Sequence, residues 1–310
     1  MPKEMTMPDP DPSFRPRPGL AETLQPGLRR IVANNPSPMT FRGTNTYLLG
    51  TEDLAVIDPG PNDPAHLRTI LGSVGPDQRI SHIFVTHAHL DHSPLARPLA
   101  AATRAPVLAF GDARSGRSAV MQQLVAQGFT GGGEGVDAGF VPDICLPDGA
   151  QVSGNGWCIT ALHTPGHFGN HLCYASEDFL FSGDLVMGWA SSVVSPPDGD
   201  LTDFMASCRH LAQMPWNRFY PGHGAAIEQP HTRLEWLLKH RKDRETAILD
   251  ALKMGPDTAH GLTSRIYTDI PTKLIPAAER NVLAHLIDLK SKSLVHHMQE
   301  LRSDSTFLLV

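Results

Sequence analysis

The sequence has few cysteines, no long apolar run and no excess of positive charge. Its 310 residues include four cysteines, which are too widely spaced for a CxxC metal motif and too few for a disulfide scaffold. No apolar run approaches the roughly 20 residues that cross a bilayer. The formal net charge is −6, so the molecule as a whole does not attract a nucleic-acid backbone. These absences argue against a disulfide-stabilised, a membrane-spanning and a strongly basic protein.

The composition is typical of a globular protein, with 41% hydrophobic and 19% charged residues. The length fits one large domain, or a large domain with a small appendage. Residues 1–19 are rich in proline and carry acidic residues, so they resemble neither a signal peptide nor a transit peptide and predict a disordered tail. We therefore expect a cytoplasmic protein whose cysteines are reduced and mostly buried.

The pattern of the chain changes near residue 230. Over residues 20–230, short β-type runs alternate with glycine and proline, which predicts a larger domain rich in strands. Residues 231–310 have helical periodicity and close with two β-type runs, which predicts a small winged-helix-like domain. Its helices are expected over Thr232–Leu252, Thr258–Tyr267 and Ala277–Leu289.

The winged-helix-like part is only weakly basic. It holds 12 Lys and Arg against 10 Asp and Glu, a net charge of +2, whereas residues 1–230 carry −8. A winged helix that reads nucleic acid is usually more basic than this. We expect the module to pack on the larger domain or on a second copy of the chain, and its leucine-rich helices are compatible with a homodimer.

The stretch "THAHLDH", from Thr86 to His92, follows the β-type run "ISHIFV". With 16 histidines in the chain, about 0.003 chance matches to H-x-H-x-D-H are expected. Imidazole and carboxylate are zinc ligands, and alternate positions of an extended segment can face one ion. His87 and His89 are therefore predicted to share a metal, while Asp91 and His92 sit where the chain turns and are predicted to face a neighbouring one.

Four ligands at one edge do not complete a two-metal site, and three further candidates follow β-type runs downstream. They are His167 in "HTPGH", Asp184 in "FSGDLV" and His223 in "YPGHG", each beside a glycine that lets backbone approach a metal closely. We assign His163 a structural or solvent-facing role. His171 has two open interpretations, as a group that supports a metal ligand or as simple packing.

These motifs resemble the metallo-β-lactamase superfamily in order and spacing. The segments "NNPSPMTFRGTNTYLLG", "VIDPG", "PPDGD" and "HRKDRETAIL" further resemble hydrolases of the beta-lactamase-like protein 2 type, which carry a C-terminal winged helix. The resemblance implies an α/β fold, an αββα sandwich, with residues 20–230 as the catalytic domain. It also implies the ligand sets: His87, His89 and His167 for one metal, Asp91, His92 and His223 for the other, and Asp184 as the bridge.

The resemblance implies a hydrolase with two divalent cations, for which zinc suits the histidine-rich set and iron or manganese would accept the same ligands. Two such ions activate a bridging hydroxide at neutral pH and polarise the scissile carbonyl or phosphoryl oxygen. Asp91 is expected to act catalytically by orienting the hydroxide and accepting its proton. An aspartate at position 184 argues against the true zinc β-lactamases that carry a cysteine there.

Relatives of this type imply a small ester or thioester as substrate, such as an acyl-CoA. The alternative is a single-strand ribonuclease, or a nucleic-acid-binding protein that uses the winged helix, and the charge of −8 over residues 1–230 disfavours it. Arg42, Arg97 and Arg104 are interpreted either as phosphate ligands or as solvated surface residues. Trp189 is a candidate pocket wall or a packing residue. The glycine-rich segment 128–140 lacks the features of a phosphate loop and is expected to be a flexible loop at the active-site edge.

Overall fold

The computed structural model describes residues 14–297 and 300–310. Two sheets form its larger part. The first has seven strands in chain order: β1 (Ala21–Gln25), β2 (Leu28–Val32), β3 (Asn45–Leu49), β4 (Asp53–Ile57), β5 (Arg79–Phe84), β6 (Val107–Ala109) and β7 (Ile144–Cys145). The second has five strands in the order β12 (Arg218–Pro221), β11 (Phe179–Gly183), β10 (Leu172–Ser176), β9 (Trp157–His163) and β8 (Gln151–Gly154).

The central strands are buried on both faces, and β4 shows how its sequence achieves this. Leu54 and Val56 point to one side of the first sheet, while Ala55 and Ile57 point to the other. The Ala55 and Ile57 side meets Phe181 and other apolar residues of the second sheet, so one hydrophobic core lies between the sheets. A continuous apolar run is expected where helices and a second sheet cover the two faces.

The helices are α1 (Pro64–Gly72), α2 (Ala96–Thr103), α3 (Ala119–Ala126), α4 (Leu201–Leu211), α5 (Pro230–Leu252), α6 (Ala259–Ile266) and α7 (Ile275–Ser291). Several of them cover the outer faces of the two sheets. Ile70 of α1 and Leu99 of α2 pack on the first sheet. Phe204 of α4 and Leu237 of α5 pack on the second. The layers are helix, sheet, sheet, helix, which confirms the predicted αββα sandwich.

The C-terminal part is built on α5, α6, α7 and a small antiparallel sheet of β13 (Asp257–Thr258), β15 (Thr306–Leu309) and β14 (Val295–His297). The two β-type runs that close the chain pair as β14 and β15, and β13, which includes the N-cap residue of α6, adds a third strand. Thr258 accepts a hydrogen bond from the amide of Gly261, as expected of a helix N-cap. The core of this part also takes in Met121 and Leu124 of α3 and Phe129, so it packs firmly on the larger part.

Some local expectations differ from the structure. The disordered tail was predicted over residues 1–19. Residues 1–13 lie outside the described residues, but Phe14 is buried, with its ring stacked on that of Phe41. Cys173 and Cys208 are buried, whereas Cys145 and Cys158 are exposed. Their elements explain this: β10 and α4 line the core, while β7 is the last strand of the first sheet. Among the described residues, no helix is both long and apolar enough for a membrane span.

Candidate metal centre

The predicted ligand residues all follow strand ends at one edge of the sandwich. The stretch 86–92 follows β5 of the first sheet, and His167 lies in the loop between β9 and β10 of the second. Asp184 comes directly after β11, and His223 comes shortly after β12. Because β11 and β12 run parallel, their carboxyl ends reach the same edge. Each sheet therefore contributes ligand side chains to one site.

The first group of candidate ligand atoms belongs to His87, His89 and His167, the residues predicted to hold one metal. Nε2 of His87 lies 2.9 Å from Nδ1 of His89, and that Nδ1 lies 3.2 Å from Nε2 of His167. Asp184 approaches this group, with its Oδ2 atom 3.9 Å from Nε2 of His167. Three ring nitrogens and one carboxylate thus point at a common position.

The second group comes from Asp91, His92 and His223. Nε2 of His223 lies 3.1 Å from Oδ2 of Asp91 and 3.3 Å from Oδ2 of Asp184. Nε2 of His92 lies 3.5 Å from Oδ1 of Asp184. Asp184 therefore lies between the two groups and contacts both, which is the place that the resemblance implied for a bridging ligand.

The hydrogen-bond partners of the rings decide which nitrogen faces the centre. Nδ1 of His167 lies 2.6 Å from the carbonyl of Val193, and Nδ1 of His223 lies 3.3 Å from the carbonyl of Gly43. A carbonyl only accepts, so each of these Nδ1 atoms donates a proton and Nε2 is the ring nitrogen that faces the centre. Nδ1 of His92 likewise donates to Oδ2 of Asp58 at 2.9 Å.

The donor set fits divalent cations. Oδ1 of Asp184 is buried and has no hydrogen-bond partner among the described residues. In the first group, Nε2 of His87 and Nε2 of His167 both face Nδ1 of His89, which as a neutral ring has one proton to offer the two of them. A cation at each position would satisfy these atoms, and imidazole with carboxylate is a common zinc ligand set.

The two groups differ in electrostatic character. Burial lowers the pKa of His87 and of His167, and it lowers that of His89 to about 3, so these rings are neutral at pH 7. Burial also opposes the charged form of His92 and His223, but Asp91 and Asp184 outweigh it. They raise the pKa of His92 well above its ordinary value and that of His223 to about 9.

The carboxyl groups respond in the opposite sense. Burial by itself would raise the pKa of Asp184 and of Asp91, but His92 and His223 hold both well below the ordinary value. The carboxylates are therefore ionised at neutral pH, and protons on His92 and His223 balance them. A metal ion at the second group would take over this balancing role, so its binding would release protons.

Two glycines allow the close approach of these side chains. A Cβ on Gly222 would lie 2.4 Å from Oδ1 of Asp184 and 2.7 Å from Cε1 of His92. Gly183 has a φ of +48°, a conformation that side chains disfavour. A Cβ there would meet Nε2 of His171 at 2.5 Å. These positions explain why glycine stands beside Asp184 and His223.

His171 and His163 receive distinct roles. His171 is buried, its Nε2 accepts a hydrogen bond from the amide of Asp184 at 3.2 Å, and its Nδ1 lies 3.0 Å from the Thr164 hydroxyl. It therefore supports a predicted ligand, the first of its two interpretations. His163 stacks on Phe110 with ring centroids 3.8 Å apart, which agrees with its predicted structural role.

The remaining candidates divide between the site and the surface. The ring of Trp189 stacks on that of Phe41, and the guanidinium of Arg42 lies 4.6 Å from the Phe41 ring centroid. This cluster lies beside Gly43, whose carbonyl is close to Nδ1 of His223, and beside Gly224, which follows His223 in the chain. Arg97 instead pairs with Asp143 at the surface, and Arg104 ends α2 in a left-handed conformation.

The glycine-rich segment does lie at the edge of the site. The carbonyl of Gly135 accepts a hydrogen bond from the amide of Leu90, and Val136 forms a bridge with His89. Asp198 of the "PPDGD" motif accepts a hydrogen bond from the amide of Gly133 at 2.6 Å. The segment is thus tied to the 86–92 stretch on one side and to Asp198 on the other.

Asp58 is the main residue whose part in the site the sequence did not reveal. Its Oδ1 accepts from the amide of Thr86 at 2.7 Å, and its Oδ2 accepts from the Thr86 hydroxyl at 2.8 Å as well as from His92. It is buried and has a φ of +51°, uncommon for a residue other than glycine. A carboxylate directly after the apolar run "LAVI" was the available signal, and it is the same signal that identified Asp184.

The chain belongs to the metallo-beta-lactamase superfamily. The model of that superfamily matches residues 39–223, and the model of the beta-lactamase associated winged helix domain matches residues 258–304. Both matches agree with the sandwich, the site at its edge and the C-terminal helices described above. The chain is a hydrolase of this superfamily, whose fold implies the binding of divalent metal.

Curated relatives match this chain over most of their length. A beta-lactamase-like protein 2 homolog of Drosophila melanogaster is 31% identical over 287 residues, which cover 87% of this chain and 89% of that protein. The atrochrysone carboxyl ACP thioesterase of Aspergillus fumigatus is 30% identical and matches 75% of this chain and 67% of its own length.

Solved structures support the fold. A beta-lactamase domain protein from Burkholderia ambifaria has a TM-score of 0.78 at 21% identity, and the match covers 96% of each chain. A metallo-beta-lactamase family protein from Thermus thermophilus has a TM-score of 0.73 at 24% identity and covers 93% of this chain and 100% of its own. The C-terminal helices are included in both matches.

Proposed function

We propose that this chain is a dinuclear metal-dependent hydrolase of an ester or thioester. The observation that carries the proposal is the pair of three-atom ligand groups with Asp184 between them and in contact with both. His87, His89 and His167 would hold one ion and Asp91, His92 and His223 the other. Zinc suits five imidazoles with two carboxylates, although iron and manganese accept the same ligands.

The side chains around the centre have separate tasks. Two divalent ions held there would lower the pKa of water towards 7 and polarise a carbonyl or phosphoryl oxygen. The Asp91 side chain is 27% exposed, whereas those of Asp184, His92, His167 and His223 are 9% exposed or less. Asp91 therefore faces the open side of the site, where its carboxylate can take up a proton and pass it to solvent.

The surroundings of the site favour an acyl substrate over a polyanion. Leu90, between two predicted ligands, is 52% exposed, and Met39, on the loop before Gly43, is 44% exposed. With Phe41 and Trp189 they give the site an apolar margin, and Arg42 is the cation in contact with it. The name of the Aspergillus fumigatus relative specifies a thioester substrate, which supports the same substrate class here.

A hydrolysis panel tests the proposal. Acyl-CoA thioesters, simple esters, lactones and single-stranded RNA would be offered to the purified protein with and without chelator, alongside metal analysis. We expect about two metal equivalents per chain and chelator-sensitive cleavage of an ester or thioester. His89→Ala and Asp184→Ala should lose metal and more than about 100-fold of activity, since losing a group that merely supports a ligand already costs 10–100-fold.

His231→Ala is the matched control, because His231 is an exposed histidine at the start of α5. It should keep both the metal and the activity of the wild type. Full activity in His89→Ala or Asp184→Ala would contradict the mechanism. Cleavage of RNA without cleavage of any ester or thioester would instead assign the same metal chemistry to a phosphodiester.

A further inference from the structure

The irregular loop of residues 187–194 follows Asp184 and forms hydrogen bonds with predicted ligand residues of the metal centre. On its inner side, the carbonyl of Val193 accepts the hydrogen bond from Nδ1 of His167 at 2.6 Å. The hydroxyl of Ser192 donates to the carbonyls of Asp184 and Leu185. The loop therefore contacts two of the predicted ligands through its backbone and through one buried hydroxyl.

The outer side of the same loop is held by α5 and α7. Arg233 donates to the carbonyl of Met187 at 2.7 Å and to that of Ala190 at 2.6 Å. Arg241, two turns further along α5, donates to the carbonyl of Ser192. Oδ1 of Asn281 on α7 accepts from the amide of Val194 at 3.0 Å and from Nη1 of Arg241 at 3.0 Å.

These polar side chains are buried, and burial lowers the pKa of Arg233 to about 10 and lowers that of Arg241. Burying a guanidinium is costly, and well-packed apolar residues often stabilise a core as well or better. Stability alone therefore gives little reason for this arrangement. What the polar contacts do provide is a fixed direction for the carbonyl of Val193, which lies between Ser192 and Val194.

The neighbouring residue of α7 contacts the opposite wall of the site. Arg280 forms an ion pair with Glu134 in the glycine-rich segment, next to Gly135, whose carbonyl holds the amide of Leu90. Consecutive residues of α7 thus contact the two loops that lie against His89 and His167. The C-terminal helices are in contact with the supports of the centre at two places.

We propose that Asn281, together with Arg241, is a positioning residue of the metal centre. It fixes Ser192 and Val194 so that the carbonyl between them holds the His167 ring with Nε2 facing the first ligand group. This assignment rests on the proposed function, because it presupposes a metal at that group. It gives the C-terminal module a part in metal binding that requires no contact with nucleic acid.

Two substitutions at one position test the assignment. Asn281→Leu keeps the branching at Cγ and lacks the acceptor, whereas Asn281→Asp keeps an acceptor oxygen beside Arg241 and the amide of Val194. Metal affinity would be measured by chelator competition, with the melting temperature of each metal-free protein measured in parallel. We expect Asn281→Leu to weaken the binding of one metal equivalent by 10–100-fold and Asn281→Asp to restore binding close to that of the wild type.

Thr202→Val is the matched control, since it removes another hydrogen bond between α7 and the sandwich, from the Thr202 hydroxyl to Asp288 at 2.6 Å. It should leave metal affinity unchanged even where it lowers the melting temperature. Unchanged affinity in Asn281→Leu, or an equal loss in Asn281→Asp or Thr202→Val, would overturn the assignment. If Asn281→Leu does not fold, Asn281→Ala takes its place with the same expectation.

The outcomes separate this inference from the proposed function. A wild type with two metal equivalents and an Asn281→Leu protein of equal affinity would refute the positioning role and leave the dinuclear hydrolase standing. A wild type that binds no metal would refute both. Because the readout is metal affinity, neither result depends on the identity of the substrate.

Discussion

At the scale of single residues, the predicted ligand rings are oriented by hydrogen bonds to side chains that are not themselves predicted ligands. Asp58 accepts from Nδ1 of His92 and from two groups of Thr86, and so it links the second ligand group to the start of the 86–92 stretch. The Thr86 hydroxyl, whose proton is used for Asp58, can only accept from Nδ1 of His87. One carboxylate thus fixes the orientation of rings in both groups.

Asp58→Asn tests this role without disturbing the backbone. Asparagine tolerates the left-handed conformation that Asp58 adopts, so the change is confined to the side-chain hydrogen bonds. The asparagine side chain has one acceptor oxygen in place of two, so it cannot accept all the hydrogen bonds that Thr86 and His92 donate to Asp58. We therefore expect metal affinity at the second group to fall 10–100-fold. Chelator competition measures this. Asp243→Asn, which changes an exposed aspartate on α5, should bind metal like the wild type.

At the scale of elements, α7 carries the buried polar side chains of Asn281, His285 and Asp288. His285 is buried with both ring nitrogens unpartnered among the described residues, and burial lowers its pKa well below the ordinary value, with Arg241 and His240 adding to the effect. The folded protein therefore keeps His285 neutral, whereas the unfolded chain binds a proton below about pH 6.5. This difference makes the helix a source of acid sensitivity.

The sign of the effect follows from proton binding. Below about pH 6.5 the unfolded state holds more protons than the native state, so stability decreases as the pH falls. The compared quantity is the free energy of unfolding of His285→Leu minus that of the wild type. We expect this difference to be about 2 kcal/mol more positive at pH 5 than at pH 7.5. Urea unfolding in the presence of chelator measures it. An identical pH dependence in the two proteins would contradict the prediction, and exposed His296→Ala serves as the control.

At the scale of the whole molecule, the candidate centre joins parts that are distant in the sequence. The first sheet supplies residues 87–92, and the second supplies His167, Asp184 and His223. The helices α5 and α7 hold the loop behind them. Bound metal would therefore connect both sheets, and through His167 it would connect them to the C-terminal helices.

Removal of metal should accordingly destabilise the entire fold. Binding at a concentration a thousandfold above the dissociation constant contributes about 4 kcal/mol per ion, which corresponds to a melting temperature several degrees higher. Thermal unfolding with and without chelator measures the difference. Asp184→Ala should show little response to chelator, because the metal-dependent part of its stability is already lost. A wild type that melts at one temperature under both conditions would contradict this expectation.

The sequence alone predicted the residues that converge at one edge, and its resemblance to a known superfamily implied the sandwich. Each predicted ligand follows an apolar run, and the carboxyl ends of neighbouring parallel strands meet at one edge, so local pattern sufficed to place Asp184 and His223 together. His87 follows a strand of the other sheet, so its place beside them depends on how the two sheets pack. Sequence spacing predicted less well which of two possible partners a charged side chain of a helix would pair with. Lys239 pairs with Asp243 rather than with Glu235, both four residues away along the helix.

Only the tertiary structure decided which residues form the hydrogen bonds that orient the predicted ligands. Asp58 lies 34 positions from His92 in the chain, and Asn281 lies 87 positions from Val194, so no spacing within one element connects them. Their roles arise from hydrogen bonds across packed layers, which depend on the final positions of whole helices and sheets. Local periodicity specifies which face of an element is buried, whereas the partner of a buried polar group is specified only when that face meets another one.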